Sequence, residues 1–269
     1  MVDAQAPGAG AFEQGLALLQ RLGGQERPAV LDLFESIGEA AFGEECLAFI
    51  YGTVYHREGL SLQQRQLSTV AALTALGYAP SQLQFHAQGA LNVGCTRRQI
   101  VETIIQISSF AGFPAILNAL MAVKDIVAGV EEETAEQPER PSWAGIDDRY
   151  ERGLAAMEAV DGEAGKKVAA AFEEIAPDLA RMIIEFTFGE IYPRPLDLKL
   201  REIATIAACT ALGTALPQLK VHVHGLLNVG GTEQEVVETV LHLAFYAGFP
   251  AALNALGAAR EVFAERAAH

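Results

Sequence analysis

Residues 62–120 read LQQRQLSTVAALTALGYAPSQLQFHAQGALNVGCTRRQIVETIIQISSFAGFPAILNAL, and residues 198–256 read LKLREIATIAACTALGTALPQLKVHVHGLLNVGGTEQEVVETVLHLAFYAGFPAALNAL. The two align without a gap and about half of their positions are identical, which marks a tandem duplication. Arg65 answers to Arg201, Gly77 to Gly213, His86 to His222, Asn92 to Asn228, Gly94 to Gly230 and Asn118 to Asn254. The run AGFPA recurs at 111–115 and 247–251. With small shifts the match reaches upstream. Glu13-Gln14-Gly15-Leu16 pairs with Glu151-Arg152-Gly153-Leu154, and Gly52-Thr53-Val54-Tyr55-His56-Arg57 pairs with Gly189-Glu190-Ile191-Tyr192-Pro193-Arg194. Each repeat is thus nearly a whole half: 12–128 and 149–266, joined by an acidic, Pro-interrupted linker over 129–148.

Within a repeat the apolar residues recur at three- and four-residue spacing, the pattern of amphipathic helices, and strand alternation is not evident. Ser61-Leu62-Gln63-Gln64, Thr96-Arg97-Arg98-Gln99 and Thr232-Glu233-Gln234-Glu235 have capping-box spacing, and Asp197 caps the matching helix alone. Pro114 and Pro250 fit the first turn of a last helix, each after a Gly that ends the one before. Helices are predicted near 12–22, 27–38, 42–56, 62–76, 80–93, 96–110 and 114–128, with the same set in the second half.

A chain of 269 residues with half of them hydrophobic has ample core for two modest domains. A net charge of −15 argues against a nucleic-acid or anionic-membrane partner, because phosphate binding needs clustered Lys and Arg. A small-molecule or protein partner fits better. Cys46, Cys95 and Cys209 form neither a disulfide framework nor a metal-ligand spacing. Residues 1–11 read as a frayed leader without the basic and apolar regions of a secretory signal, and no apolar stretch reaches about 18 residues, so the expected location is the cytoplasm. Trp143 is either a pin holding the linker to a domain or a simple contact.

In the second half, GEIYPRP at 189–195, REIATIA at 201–207, LKVH at 219–222, NVGGT at 228–232 and YAGFPA at 246–251 together resemble the carboxymuconolactone decarboxylase family. Arg57, Arg65, His86, Asn92, Gly94, Thr96 and the run 111–115 give the first half the same resemblance. It implies an all-α protein made of two tandem repeats of an alkylhydroperoxidase-like helical bundle, and a homo-oligomer. If single units form a ring, double units need half as many chains, and a trimer is expected. One branch of that superfamily uses a Cys-x-x-Cys pair shortly before the His. Here those positions hold Ala79 and Gln82, and Ala215 and Gln218, so thiol–disulfide exchange is not the expected chemistry. The resemblance implies instead a decarboxylase that uses no metal or organic cofactor and acts on a small anionic substrate, a carboxylated lactone or related keto acid.

Such a reaction needs groups that hold the acid, stabilise an enolate and deliver a proton. His222 and His86 are the candidate proton carriers, since both copies keep the ionisable ring; the plain alternative is a buried His satisfied by backbone. Arg194 and Arg201, with counterparts Arg57 and Arg65, suit carboxylate binding. They equally suit salt bridges, Arg194 with Glu190 and Arg201 with Glu202 or Glu238. Glu202 and Glu190 are further acid or base candidates, and His224 a substrate contact. His222 and His224 are two apart on different helix faces, which argues against a shared metal, and none is expected. Where the second half has Glu190, Glu202, His224, His242 and Tyr246, the first has Thr53, Gln66, Gln88, Gln106 and Phe110. This predicts that the second repeat carries the more complete site. Rival readings keep the fold but assign an isomerase or cyclase, or a noncatalytic ligand-binding or assembly protein.

Overall fold

A computed structural model describes residues 10–130, 138–172 and 174–268. Most of the expected leader, 1–9, and the middle of the expected linker, 131–137, lie outside the described residues. The first repeat comprises α1 (Ala11–Gly23), α2 (Ala29–Ser36), α3 (Ala40–Ile50), α4 (Leu62–Leu76), α5 (Pro80–Asn92), α6 (Arg97–Gln106), α7 (Ser108–Ala111) and α8 (Phe113–Ala128). The second comprises α9 (Arg149–Val160), α10 (Glu163–Phe172), α11 (Pro177–Met182), a π-helical segment (Ile183–Ile191), α12 (Leu198–Leu212), α13 (Leu216–Asn228), α14 (Glu233–Ala247) and α15 (Phe249–Ala267). No strand occurs among the described residues, so the protein is all-α as expected.

The local signals act where the sequence places them. Capping boxes form at Ser61/Gln64, Thr96/Gln99 and Thr232/Glu235, and Asp197 accepts from the Leu200 N–H at 3.0 Å. Gly77 and Gly213 close α4 and α12 in the left-handed region, at φ 71° and 68°, and so turn each chain back into the helix that carries its His. Two predicted helices differ from the structure. The helix expected over 42–56 ends at Ile50 and continues as a 3₁₀ turn, Val54–His56, while its second copy is π-helical. There Arg152 Nε donates to the Gly189 carbonyl at 2.7 Å, competing for the helical ladder. The helix expected over 96–110 breaks at Ile107, where the Ser108 hydroxyl donates to the Ile105 carbonyl at 2.7 Å. The second repeat has Ala244 in place of Ser108, and α14 runs unbroken.

The two repeats do not keep separate cores. α4 and α12 pack together at the centre, and both are buried on nearly every side from Arg65 to Ala75 and from Arg201 to Ala211. Ala71, Ala72, Ala75, Ala204, Ala207, Ala208 and Ala211 share one core cluster, so small side chains line the approach of the two helices. Around this pair the repeats exchange partners. α14 of the second repeat packs on α4, and α6 and α7 of the first pack on α12. Reciprocal ion pairs fasten the exchange, Arg57 Nη2 to Glu238 at 2.6 Å and Arg194 Nε to Glu102 at 2.8 Å. Trp143 packs beside the Ala156, Val160 and Tyr192 cluster.

Helix crossings at the outer edge of each repeat depend on glycine. A Cβ on Gly153 would stand 2.3 Å from the Ile184 carbonyl oxygen, and one on Gly15 2.6 Å from that of Leu47. Neither backbone can yield cheaply. We expect Gly153→Ala to lower stability by about 2 kcal/mol or more, read as a fall in the urea midpoint. Gly145→Ala, which meets nothing within 4 Å, serves as the unchanged control.

Candidate active site

The turn at Gly213 sets α12 beside α13, so that Glu202 meets His222. Glu202 is wholly buried, with one carboxylate oxygen 2.9 Å from His222 Nδ1, while the other accepts the Tyr192 hydroxyl at 2.5 Å. Asp161, at the C-terminal cap of α9, puts a third acid here: its Oδ1 is 3.9 Å from the same Nδ1. Gly225 makes room for both acids, since a Cβ there would lie 2.6 Å from Glu202 Oε2 and 2.9 Å from Asp161 Oδ1. Phe110, contributed by the first repeat, stands edge-on to the His222 ring with centroids 5.1 Å apart. Nδ1 is the ring atom that meets the acids, and Nε2 takes no part in these contacts.

The first repeat builds the corresponding place from neutral groups. Gln66 Oε1 lies 2.9 Å from His86 Nδ1, and the Gln66 amide donates to the Tyr55 hydroxyl at 3.5 Å. Tyr55 and Tyr246 share a hydrogen bond of 2.6 Å, and Tyr246, from the second repeat, stands edge-on to His86. His242, also from the second repeat, lies 2.8 Å from the Thr69 hydroxyl and against the Tyr55 ring. The titratable extras of the second repeat are therefore divided between the two sites. α14 crosses to α4, so His242 and Tyr246 equip the first site, and Gln106 and Phe110 face the second.

The electrostatics of the two rings diverge accordingly. Burial pushes His86 down to about 3, and nothing charged offsets it. Burial also acts to lower His222, but Glu202 and Asp161 outweigh it and its pKa is raised. Burial lifts Asp161 to about 7 against the opposing pull of His222, and Tyr192 rises well above its ordinary value through burial and then Glu202. The second site therefore favours the charged form of its ring, and the first an uncharged imidazole. Asp161, Glu202 and His222 offer donor atoms all within 4.8 Å of one another, a set chemically able to surround a cation. Here Nδ1 and Glu202 face each other at hydrogen-bond distance, and we read the cluster as a proton site.

The predicted arginines take other places. Arg201 and Arg65 are wholly buried. Arg201 donates to Gln106 Oε1 at 2.8 Å and to the Arg194 carbonyl at 2.5 Å, under the face of Tyr192; Arg65 donates to the Arg57 carbonyl and to Glu238. They position the loops that carry Arg194 and Arg57. Those two are half-exposed and pair across the repeats with Glu102 and Glu238, so neither foreseen pairing, Arg194 with Glu190 nor Arg201 with Glu202 or Glu238, is present. Glu190 instead meets Arg149 and Arg152 at the surface, and His224 meets Glu265. Arg194 lines a cleft of about 770 Å³ together with Tyr192, Lys199 and Arg140. Asn92 and Asn228 anchor neighbouring helices, donating to the Leu22 and Val160 carbonyls at 2.8 Å. Burial lifts the Cys95 and Cys209 thiols to about 12, which suits packing and not nucleophilic attack.

Three site members escaped the sequence reading. Asp161 stands where the first repeat has Gly23, Tyr192 repeats Tyr55, and Phe110 answers to Tyr246. Asp161 is visible as an acid gained in one copy and Tyr192 as a tyrosine present in both, while Phe110 needs the exchange of helices.

The model of the carboxymuconolactone decarboxylase family matches the chain twice, over residues 40–125 and 177–261. A 4-carboxymuconolactone decarboxylase from Acinetobacter baylyi is 37% identical over 119 residues, 43% of this chain and 87% of that protein. A nitrosuccinic acid decarboxylase from Metarhizium robertsii is 37% identical over 76 residues, 28% of this chain and 52% of that protein. A solved structure described as a gamma-carboxymuconolactone decarboxylase subunit from Burkholderia xenovorans shares the fold, with a TM-score of 0.59 and 23% identity over 96% of this chain and 98% of that one. No helix among the described residues is long and apolar enough to cross a membrane.

The positioning role of Arg201 has a direct check. Arg201→Met leaves the Gln106 oxygen and the Arg194 carbonyl without their donor, and should cost about 3 kcal/mol in urea unfolding. A variant of undiminished stability would return Arg201 to the list of substrate contacts.

Proposed function

Because the chain belongs to the carboxymuconolactone decarboxylase family, we propose that it is a cofactor-independent carboxy-lyase working at His222, on a small carboxylated lactone or related keto acid of the 4-carboxymuconolactone type. The observation that carries this reading is the chain Tyr192–Glu202–His222, in which a buried acid meets Nδ1 of the ring and favours its charged form. Loss of carbon dioxide breaks the carbon–carbon bond to the carboxylate and sends its electron pair into the conjugated carbonyl. The resulting enolate carbon takes the proton from His222 Nε2, and the neutral ring regains one from solvent. Glu202 fixes the ring orientation and stabilises its charged form, much as a buried acid does for the His of other acid–base sites. Arg194, on the wall of the cleft beside Tyr192, is the candidate to steer an anionic group.

The first site lacks the acids, and His86 stays neutral, which supports binding without turnover there. The paired stripes Phe113, Leu117 and Met121 on α8 and Phe249 and Leu253 on α15 are exposed apolar surface that supports an oligomer, and a trimer remains our expectation. Light scattering should then give about three times the chain mass of 28.7 kDa.

With 4-carboxymuconolactone, carbon dioxide release should accompany loss of substrate absorbance, and His222→Gln should lower kcat by roughly 10²–10⁴-fold while His86→Gln keeps most of it. Since the donor is the protonated ring and its pKa is raised, activity should be full on the acid side and fall as pH rises through that pKa. No release by folded wild-type protein, or activity lost in His86→Gln and kept in His222→Gln, refutes the assignment.

A further inference from the structure

Asp161 is a buried acid that the fold itself does not call for. It caps the C-terminus of α9, where the helix dipole disfavours negative charge, and its Oδ1 is buried without a hydrogen-bond partner. The first repeat avoids this arrangement. At the equivalent Gly23 a Cβ would lie 3.1 Å from the Phe85 ring, whereas Phe85 is replaced by the smaller Val221 in the second repeat. A buried carboxylate oxygen without a hydrogen-bond donor costs stability, so its presence beside His222 points to a task.

We propose that Asp161 is a positioning residue of the second site: with Glu202 it brackets His222 Nδ1 and holds the ring in its doubly protonated form, so that Nε2 remains a proton donor. Glu202 accepts the Nδ1 proton at 2.9 Å, and Asp161 Oδ1 lies on the same nitrogen at ion-pair distance, 3.9 Å. Glycine at 225 admits both oxygens to one side of the ring, a space that any larger residue would close. The groups facing the ring are Glu202 on α12, with Tyr192 behind it, Asp161 on α9, and the uncharged Phe110 on α7. Charged groups on the other packed helices turn elsewhere: Lys166 to Glu158 and Glu163, Glu261 to Lys220, Glu265 to His224, Arg266 to Asn228, and Glu238 to Arg57. Two acids therefore act on His222, where His86 has an amide and a glycine. The direction of each pKa agrees, since both acids raise His222 while His86 falls to about 3.

The role of the proton rests on the decarboxylase reading, but the state of the ring does not, and it is measured without substrate. Protein carrying ¹⁵N-labelled histidine would be titrated by NMR, with His222 assigned by its absence in His222→Gln. In Asp161→Asn, and in Asp161→Gly, which copies the first repeat, the His222 midpoint should move down by about one pH unit or more, with circular dichroism and melting showing an intact fold. A midpoint that stays in place in folded variants overturns the proposal, as does an equimolar Zn²⁺ addition that captures Nδ1 in the wild type, which would make the cluster a metal centre. With an active substrate, Asp161→Asn should also move the falling limb of the kcat profile to lower pH. Failure of turnover in every variant would count against the reaction and leave the titration result standing.

Discussion

The contact between α4 and α12 governs the rest of the molecule. Each helix is enclosed on almost all sides, and each offers the other a face of alanines, so neither repeat can complete its core alone. Once the two are packed, α14 is brought to α4, and α6 and α7 to α12. The buried arginines belong to the same constraint. Arg65 and Arg201 start the buried stretches of these helices, and each secures the loop carrying an arginine that clips the opposite repeat. Arg201 engages both terminal nitrogens and Arg65 only Nη2, while Nε of each and Nη1 of Arg65 are buried without a partner, so the cost of burying these charges is offset only in part.

This packing explains how two units of one design come to hold histidines shifted in opposite directions. The local frame is the same in both: a histidine on the second helix of a hairpin, a Gln or Glu on the first, and a tyrosine hydroxyl behind it. With glutamine the frame is neutral and desolvation decides, so the ring loses its proton. With glutamate, joined by Asp161, charge outweighs desolvation and the pKa of the ring is raised. Few substitutions separate an acid site from a neutral one, since the distances from His86 to Gln66 and from His222 to Glu202 are both 2.9 Å.

The sequence announces the fold through repetition. Capping residues, turn glycines and first-turn prolines stand at matching places in both copies and act locally, so helix starts and stops are legible without knowing what packs on what. The pairing of Glu202 with His222 is legible in part, because both lie in one hairpin and the Gln66 for Glu202 exchange draws attention to the position. What resists reading is anything that crosses between repeats. His242 and Tyr246 look like additions to their own half because proximity in sequence suggests it, and only the passage of α14 to α4 moves them to His86. Arg194 and Glu190 sit four apart, yet Arg194 meets Glu102 from the other repeat. The break at Ile107 and the π-helical segment Ile183–Ile191 also escape, where the Ser108 hydroxyl and Arg152 take backbone carbonyls.

Joining two units in one chain alters what substitution can do. In an assembly of identical single units, any change that strengthens a site is repeated in every copy, and a residue donated across the contact is the same residue everywhere. Here the two donors differ: Phe110 is given to His222 and Tyr246 to His86. A change in the second repeat's α14 therefore reshapes the first site and leaves the second with its own acids. That freedom lets one site accumulate the unfavourable burial of Asp161 and Glu202 while the other stays neutral and well packed. The destabilising charge is confined to one end of a core that both halves hold together.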